Sequence, residues 1–167
     1  GLGIHVGPVF LNGEMRYNVG RPRWCFGVKD GKFVLVHSQD LKPKDRRVDF
    51  GATGLQCLVK DGRLMKIASP PSPDDPPLQQ PVPCGPDEAG CIPGVDFMRT
   101  SRASLAWTKD SKLLYLLFEN EPDTELASKL ALRRSEPLGA GFTLDDLQRF
   151  WTVFGRSNPI WGAVNSD

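Results

Sequence analysis

The sequence closes on "IWGAVNSD", residues 160–167, where five apolar or small residues from Ile160 to Val164 run into Asn165, Ser166 and Asp167. The five read as a buried strand. A strand that delivers a carboxylate to its end is a common place for a general acid or base, or for a group that holds a ligand hydroxyl. The other reading of Asp167 is an exposed tail residue, and spacing alone does not choose between them. Arg102 opens the strand-like run "RASLAW". Its planar guanidinium can fork two hydrogen bonds onto a phosphate or carboxylate, although arginines at such positions are mostly at the surface. Arg99 has less to recommend it. "GAGFT" (139–143) sets glycines ahead of a helix N-terminus, which can cradle a phosphate, but neither the dinucleotide nor the P-loop pattern is complete. "KPKDRR" (42–47) is a basic cluster without interleaved aromatics and reads as a solvated loop. His5 and His37 stand apart, and no serine-hydrolase elbow is present.

Four turn signals organise the elements that would position these groups. "PVFLNGEMRY" (8–17), "FGVKDGKFVLV" (26–36), "CLVKDGRLMKI" (57–67) and "AWTKDSKLLYLLF" (106–118) each set Asn-Gly, Asp-Gly or Asp-Ser between apolar runs. Asn-Gly and Asp-Gly tolerate the positive φ of tight hairpins, so antiparallel sheet is expected over most of the first 118 residues. Serine is a poorer second turn residue, which weakens the fourth signal. Between Pro70 and Pro86, eight of seventeen positions are proline. Such a run neither pairs in a sheet interior nor sustains a helix. Residues 69–94 are therefore expected to form a long surface loop rather than a linker between domains.

Helices are expected late. "EPDTELASKLALRRSEP" gathers Leu126, Leu130, Ala127 and Ala131 on one side, with Arg133 and Arg134 in the last turn and Pro137 as a stop. In "TLDDLQRFWTVFG", Thr143 is a natural N-cap and Asp146 can close the box. Leu144, Leu147, Phe150, Trp151 and Phe154 form the apolar stripe, and Gly155 stands at the C-terminal cap. The expected fold is α+β (mixed α/β): antiparallel hairpins, then two helices and a closing buried strand, in a single domain over residues 1–167.

The bulk properties narrow the function. With 167 residues, 40% of them hydrophobic, the chain can bury one real core. The 21 basic and 20 acidic residues nearly cancel, so nothing advertises capture of nucleic acid or of an anionic membrane. No apolar run approaches the roughly 20 residues of a membrane span. Beginning with Gly and without a signal-peptide pattern, the chain reads as processed or as a piece of something larger. Of the four cysteines, Cys84 and Cys91 bracket the turn-rich "CGPDEAGC", where a local disulfide would staple a segment with little core of its own. No spacing is CxxC, so no metal site is expected. The even cysteine count and the Pro-rich loop point to a secreted or extracytoplasmic protein, with four free thiols in a cytosolic one as the alternative. The pairing of Cys25 and Cys57 and any cofactor are left open.

Taken in order, these segments resemble the phosphodiester glycosidase family. "GPVFLNGEMRY" is similar to its early hairpin and "FGVKDGKFVLVH" to its phenylalanine-glycine strand and turn. "GATGLQCLVKDGRL" is similar to the small-residue turn before its second hairpin, and "SRASLAWTKDSKLLYLLF" to its arginine-led strand pair. "GFTLDDLQRFWTVFG" followed by "WGAVNSD" is similar to the helix and closing strand that carry its Asn-x-Asp-Gly-Gly signature. The resemblance spans almost the whole chain. It implies hydrolysis of a sugar-1-phosphodiester or a related glycosidic linkage in surface glycans. Arg102 and Asp167 would be catalytic, Asn165 would frame the pocket, and Thr143 would cap the supporting helix and could touch substrate. The implied partner is a carbohydrate or sugar-phosphate ligand. Two features depart from the pattern: the family's glycines after this aspartate, and its glycine-rich asparagine motif upstream, both fall outside residues 1–167. A second chain or a longer parent carrying the rest of the domain is the corresponding expectation. A non-catalytic carbohydrate- or cell-wall-binding module is the alternative function. A third is an assembly protein using its tryptophans, for which an exposed apolar patch around Trp24 or Trp107 would be the mark.

Overall fold

A computed structural model of the chain describes residues 9–17, 23–42, 47–67, 102–119 and 141–165. In chain order the elements are β1 (Val9–Leu11), β2 (Glu14–Tyr17), β3 (Trp24–Lys29), β4 (Lys32–His37), β5 (Phe50–Lys60), β6 (Arg63–Leu64), β7 (Arg102–Thr108), β8 (Leu114–Glu119), α1 (Leu144–Phe154) and β9 (Ile160–Asn165). A single 3-10 turn, Ser38–Asp40, follows β4.

The four expected hairpins form, and three of them share one turn chemistry. Asn12-Gly13, Asp30-Gly31 and Asp61-Gly62 all adopt positive φ at both central residues, 53° and 74°, 48° and 73°, 51° and 74°. That pair of left-handed residues matches the strand twist, and Asn or Asp followed by Gly adopts it at least cost. The β7–β8 connection is longer, and only Ser111 has positive φ there (58°). Side chains support it instead. Asp110 Oδ1 accepts from Thr108 Oγ1 (2.7 Å) and from the Lys112 amide (3.2 Å), and the Phe33 amide of β4 donates to Ser111 Oγ (3.0 Å).

Every strand pairing is antiparallel. The strands form two five-stranded sheets, β1–β5 and β5–β9, that share β5. The first half of β5 pairs with β1 and β3, and the second half with β6 and β9. The partners change between Leu55 and Gln56, and a register shift between Cys57 and Val59 follows within the β5–β9 pairing, the kind of local irregularity that lets one strand bend between sheets. β9 lies between β5 and β7, so the last described element in the chain is central in its sheet.

Both faces of the second sheet are covered. On one face Leu58, Val59, Ala106 and Ala163 meet Leu144, Leu147 and Trp151 of α1. On the other, Trp107 lies over Gly162, where an added Cβ would overlap its ring. Trp107 then meets Phe26 (ring centroids 4.8 Å apart) and Phe33 (6.5 Å) of the β3–β4 hairpin. A further cluster of Phe10, Cys25, Leu41 and Val48 lies on the far side of β3. The described residues are thus predominantly antiparallel sheet with one helix, which overturns the expected mixture with two helices. Among the described residues the β3–β4 hairpin packs on one face of the second sheet and α1 on the other. The 121–137 pattern lies outside the described residues, as does the 69–94 loop.

The helix begins as its sequence dictates. Thr143 is the N-cap, its Oγ1 accepting from the Asp146 amide (3.1 Å) while Asp146 Oδ2 accepts from the Thr143 amide (3.0 Å). Gly155 is the C-cap in right-handed conformation, its N–H bonded to the Trp151 carbonyl (2.8 Å).

Candidate functional site

At the end of the second sheet where β7 begins and β9 finishes, polar side chains replace the apolar ones. The strand register sets Gln56 of β5 and Ser104 of β7 on either side of Asn165 of β9. Arg102 stands two residues before Ser104, on the same face by the two-residue period of a strand. All four are buried: Asn165 is fully enclosed, and Arg102 is only 3% exposed. A charge so enclosed is tolerated only when it is hydrogen-bonded.

The bonds are specific. Arg102 Nε donates to the Phe142 carbonyl (3.1 Å), tying β7 to the turn that enters α1. Asn165 has its donors and acceptors satisfied when its amide nitrogen donates to the Ala103 carbonyl (3.2 Å) and its oxygen accepts from an Arg102 Nη (3.3 Å). In that orientation the Gln56 amide must be turned too, so that its Nε2 donates to the Asn165 oxygen. Ser104 Oγ donates to the Val164 carbonyl (2.7 Å) and accepts from Trp151 Nε1 (2.8 Å), linking β7, β9 and α1. On the same helix face Gln148 Nε2 donates to the Leu58 and Met65 carbonyls (2.9 and 2.7 Å), satisfying backbone at the β5 irregularity.

Of the residues expected to act, Arg102 and Asn165 are therefore brought together, bonded to one another at the strand ends. Thr143 is one residue from Phe142, whose carbonyl Arg102 binds, but its hydroxyl is occupied in capping α1. Asp167, Cys84 and Cys91 lie outside the described residues. Cys25 and Cys57 are free, buried thiols. Burial pushes the Cys25 thiol up to about 12 and raises that of Cys57 as well, which keeps both protonated and unreactive. Among the described residues no three His, Cys, Asp or Glu side chains are grouped to hold a metal ion. No described helix is long and apolar enough to cross a membrane.

Gln56 and Ser104 were not anticipated as members of this site. The signal available was a polar residue inside an otherwise apolar strand, "LQCLV" for Gln56 and "RASLAW" for Ser104, because such a residue must find a buried partner. Trp24 and Trp107 are 1% and 2% exposed. Both are core side chains, so neither supplies exposed surface to the apolar patch that would mark an assembly role. The exposed large apolar side chains include Leu114, Leu116 and Phe118 of β8, with others spread over β1, β5, β6 and α1.

No protein-family model matches this chain, and no curated protein matches it.

Proposed function

We propose that the chain hydrolyses a sugar-1-phosphodiester, or a related glycosidic linkage in surface glycans, at the β7–β9 strand ends. The supporting observation is the buried Arg102–Asn165 pair at the end of β9, two residues ahead of Asp167 in the sequence. In this reading the Arg102 guanidinium holds the anionic phosphate oxygens, to which its paired N–H groups are matched in charge and geometry. Asn165 and Gln56 fix the guanidinium and frame the pocket. The Asp167 carboxylate manages the proton, or the positive charge that develops at the sugar carbon. Such a reaction acts on extracellular or lumenal glycans, which fits a secreted or extracytoplasmic location.

Turnover of an N-acetylglucosamine-1-phosphodiester by the purified protein, beside its Arg102→Ala and Asp167→Asn variants, tests the reading. Arg102→Ala is expected to abolish turnover, and Asp167→Asn to retain substrate binding while slowing the chemistry. A folded Arg102→Ala variant with full activity would remove Arg102 from the site.

The second reading is a carbohydrate-binding module that keeps the fold without the chemistry. It draws on the depth of Arg102, whose Nε and one Nη are committed to Phe142 and Asn165 within the fold. Saturable sugar binding with no hydrolysis by the unmodified protein would favour it.

A further inference from the structure

The face of the second sheet opposite α1 carries a cleft of about 510 Å³ between β4 and the β5–β6 turn, within the size range of small-molecule sites. Phe33, Trp107 and Trp161 give it aromatic walls, and Arg47, Lys60 and Asp61 also line it. With Lys29, which Asp49 holds at 2.8 Å, the lining carries three cations against the one carboxylate of Asp61. Trp161 is partly exposed and has the Lys109 ammonium over its ring at 4.6 Å.

Lys60 joins this cleft to an unusual interior. It makes no ion pair among the described residues, and its ammonium stands 5.0 Å from the centroid of the Trp24 ring. Trp24 meets His37 edge-on, with ring centroids 5.1 Å apart. Trp24 Nε1 and both ring nitrogens of His37 are buried without a hydrogen-bond partner. Buried polar atoms are nearly always paired, and a neutral imidazole carries one donor and one acceptor. Unpartnered N–H groups beside a cation with no ion pair among the described residues make an environment suited to an anion.

We propose that this cleft binds an acidic sugar. The pyranose ring lies against Trp161, and its carboxylate or phosphate group is held at the Lys60 end, toward Trp24 and His37. Apolar C–H faces of a sugar suit an indole surface, and an ammonium–oxyanion hydrogen bond is among the strong ones. The site lies across the sheet from Arg102 and does not depend on the hydrolysis proposed above.

Binding of glucuronate, glucose 6-phosphate, glucose and inorganic phosphate to the full chain, followed by calorimetry and tryptophan emission, tests this. At least one acidic sugar is expected to bind saturably, about tenfold or more tighter than glucose, a difference of about 1.4 kcal/mol. Which of the two binds distinguishes a uronic acid from a sugar phosphate. Lys60→Met is expected to weaken it about tenfold, with Lys60→Gln as a second variant should the first not fold, and Trp161→Ala is expected to weaken it similarly. The anion subsite is overturned if folded Lys60 variants bind as the unmodified protein does, or if neither acidic sugar binds. Phosphate alone binding as tightly as the sugars, or unchanged affinity in folded Trp161→Ala, overturns the sugar platform.

Discussion

Ser104 is where two strands and the helix converge, since its hydroxyl donates to β9 and accepts from Trp151 of α1. Removing that oxygen strands a buried indole N–H, and an orphaned buried donor costs about 1–3 kcal/mol. Ser104→Ala is therefore expected to lower the unfolding free energy by about that amount in a denaturant titration, with little change in slope. A loss within error would mean that Trp151 finds another acceptor. His37 acts through protonation. Burial, the largest influence, and Lys60 hold its pKa below the usual 6.5, while Asp40 works in the opposite direction. Above about pH 6.5 the imidazole is neutral in folded and unfolded chains alike. As the pH falls through that value, the unfolded chain takes up a proton that the native one refuses. Stability then declines until the lower native pKa is passed. His37→Gln should flatten the stability–pH curve below about pH 6.5 relative to the parent protein. An equal slope in both would detach His37 from the acid response.

The elements show how far local chemistry determines structure and where it stops. The capping box at Thr143 was legible because N-cap recognition is settled within four residues. Thr143→Ala should cost about 0.5–2 kcal/mol in thermal or denaturant unfolding. The three Asn-Gly and Asp-Gly turns were legible for the same reason, since positive φ at adjacent residues restricts the choice of residue types. The path of β5 was not legible. Its division between two sheets after Leu55 depends on partners far away in sequence, and the small residues before it signal only permission to bend. The placement of Arg102 was half legible. The strand start could be read, but its burial arises from Phe142 and Asn165, which no local pattern brings near. Gly162 belongs to the same class, as its need comes from Trp107 across the strand pair. Gly162→Ala forces that ring against the Phe26 and Phe33 layer. A loss of about 1–3 kcal/mol or more is expected, as for other overpacked cores, with altered tryptophan emission as the local readout.

At the scale of the whole molecule, the two sheets share one strand and meet through the Trp107–Phe26 and Trp107–Phe33 contacts, so they are expected to unfold together. Cys25 belongs to the cluster under the first sheet, whereas Cys57 pairs with Val164 of β9 in the second. Both thiols should resist iodoacetamide at pH 8 in the native protein and become labelled together as denaturant unfolds it. Mass spectrometry of labelled peptides would show this, and rapid native labelling of either cysteine would reveal a layer that opens independently. The central place of β9 has a temporal consequence. During synthesis β5 and β7 leave the ribosome long before residues 160–165, and until those arrive each exposes an unsatisfied backbone edge toward the gap that β9 fills. Closure therefore awaits a segment made well after β7 and brings together residues about a hundred positions apart, such as Gln56 and Asn165. Pairings this distant are slow to form and leave sheet edges open to other chains. A nascent chain stalled before residue 160 should accordingly be held by chaperones or aggregate, with the polar cluster at the strand ends assembling only as β9 enters the gap.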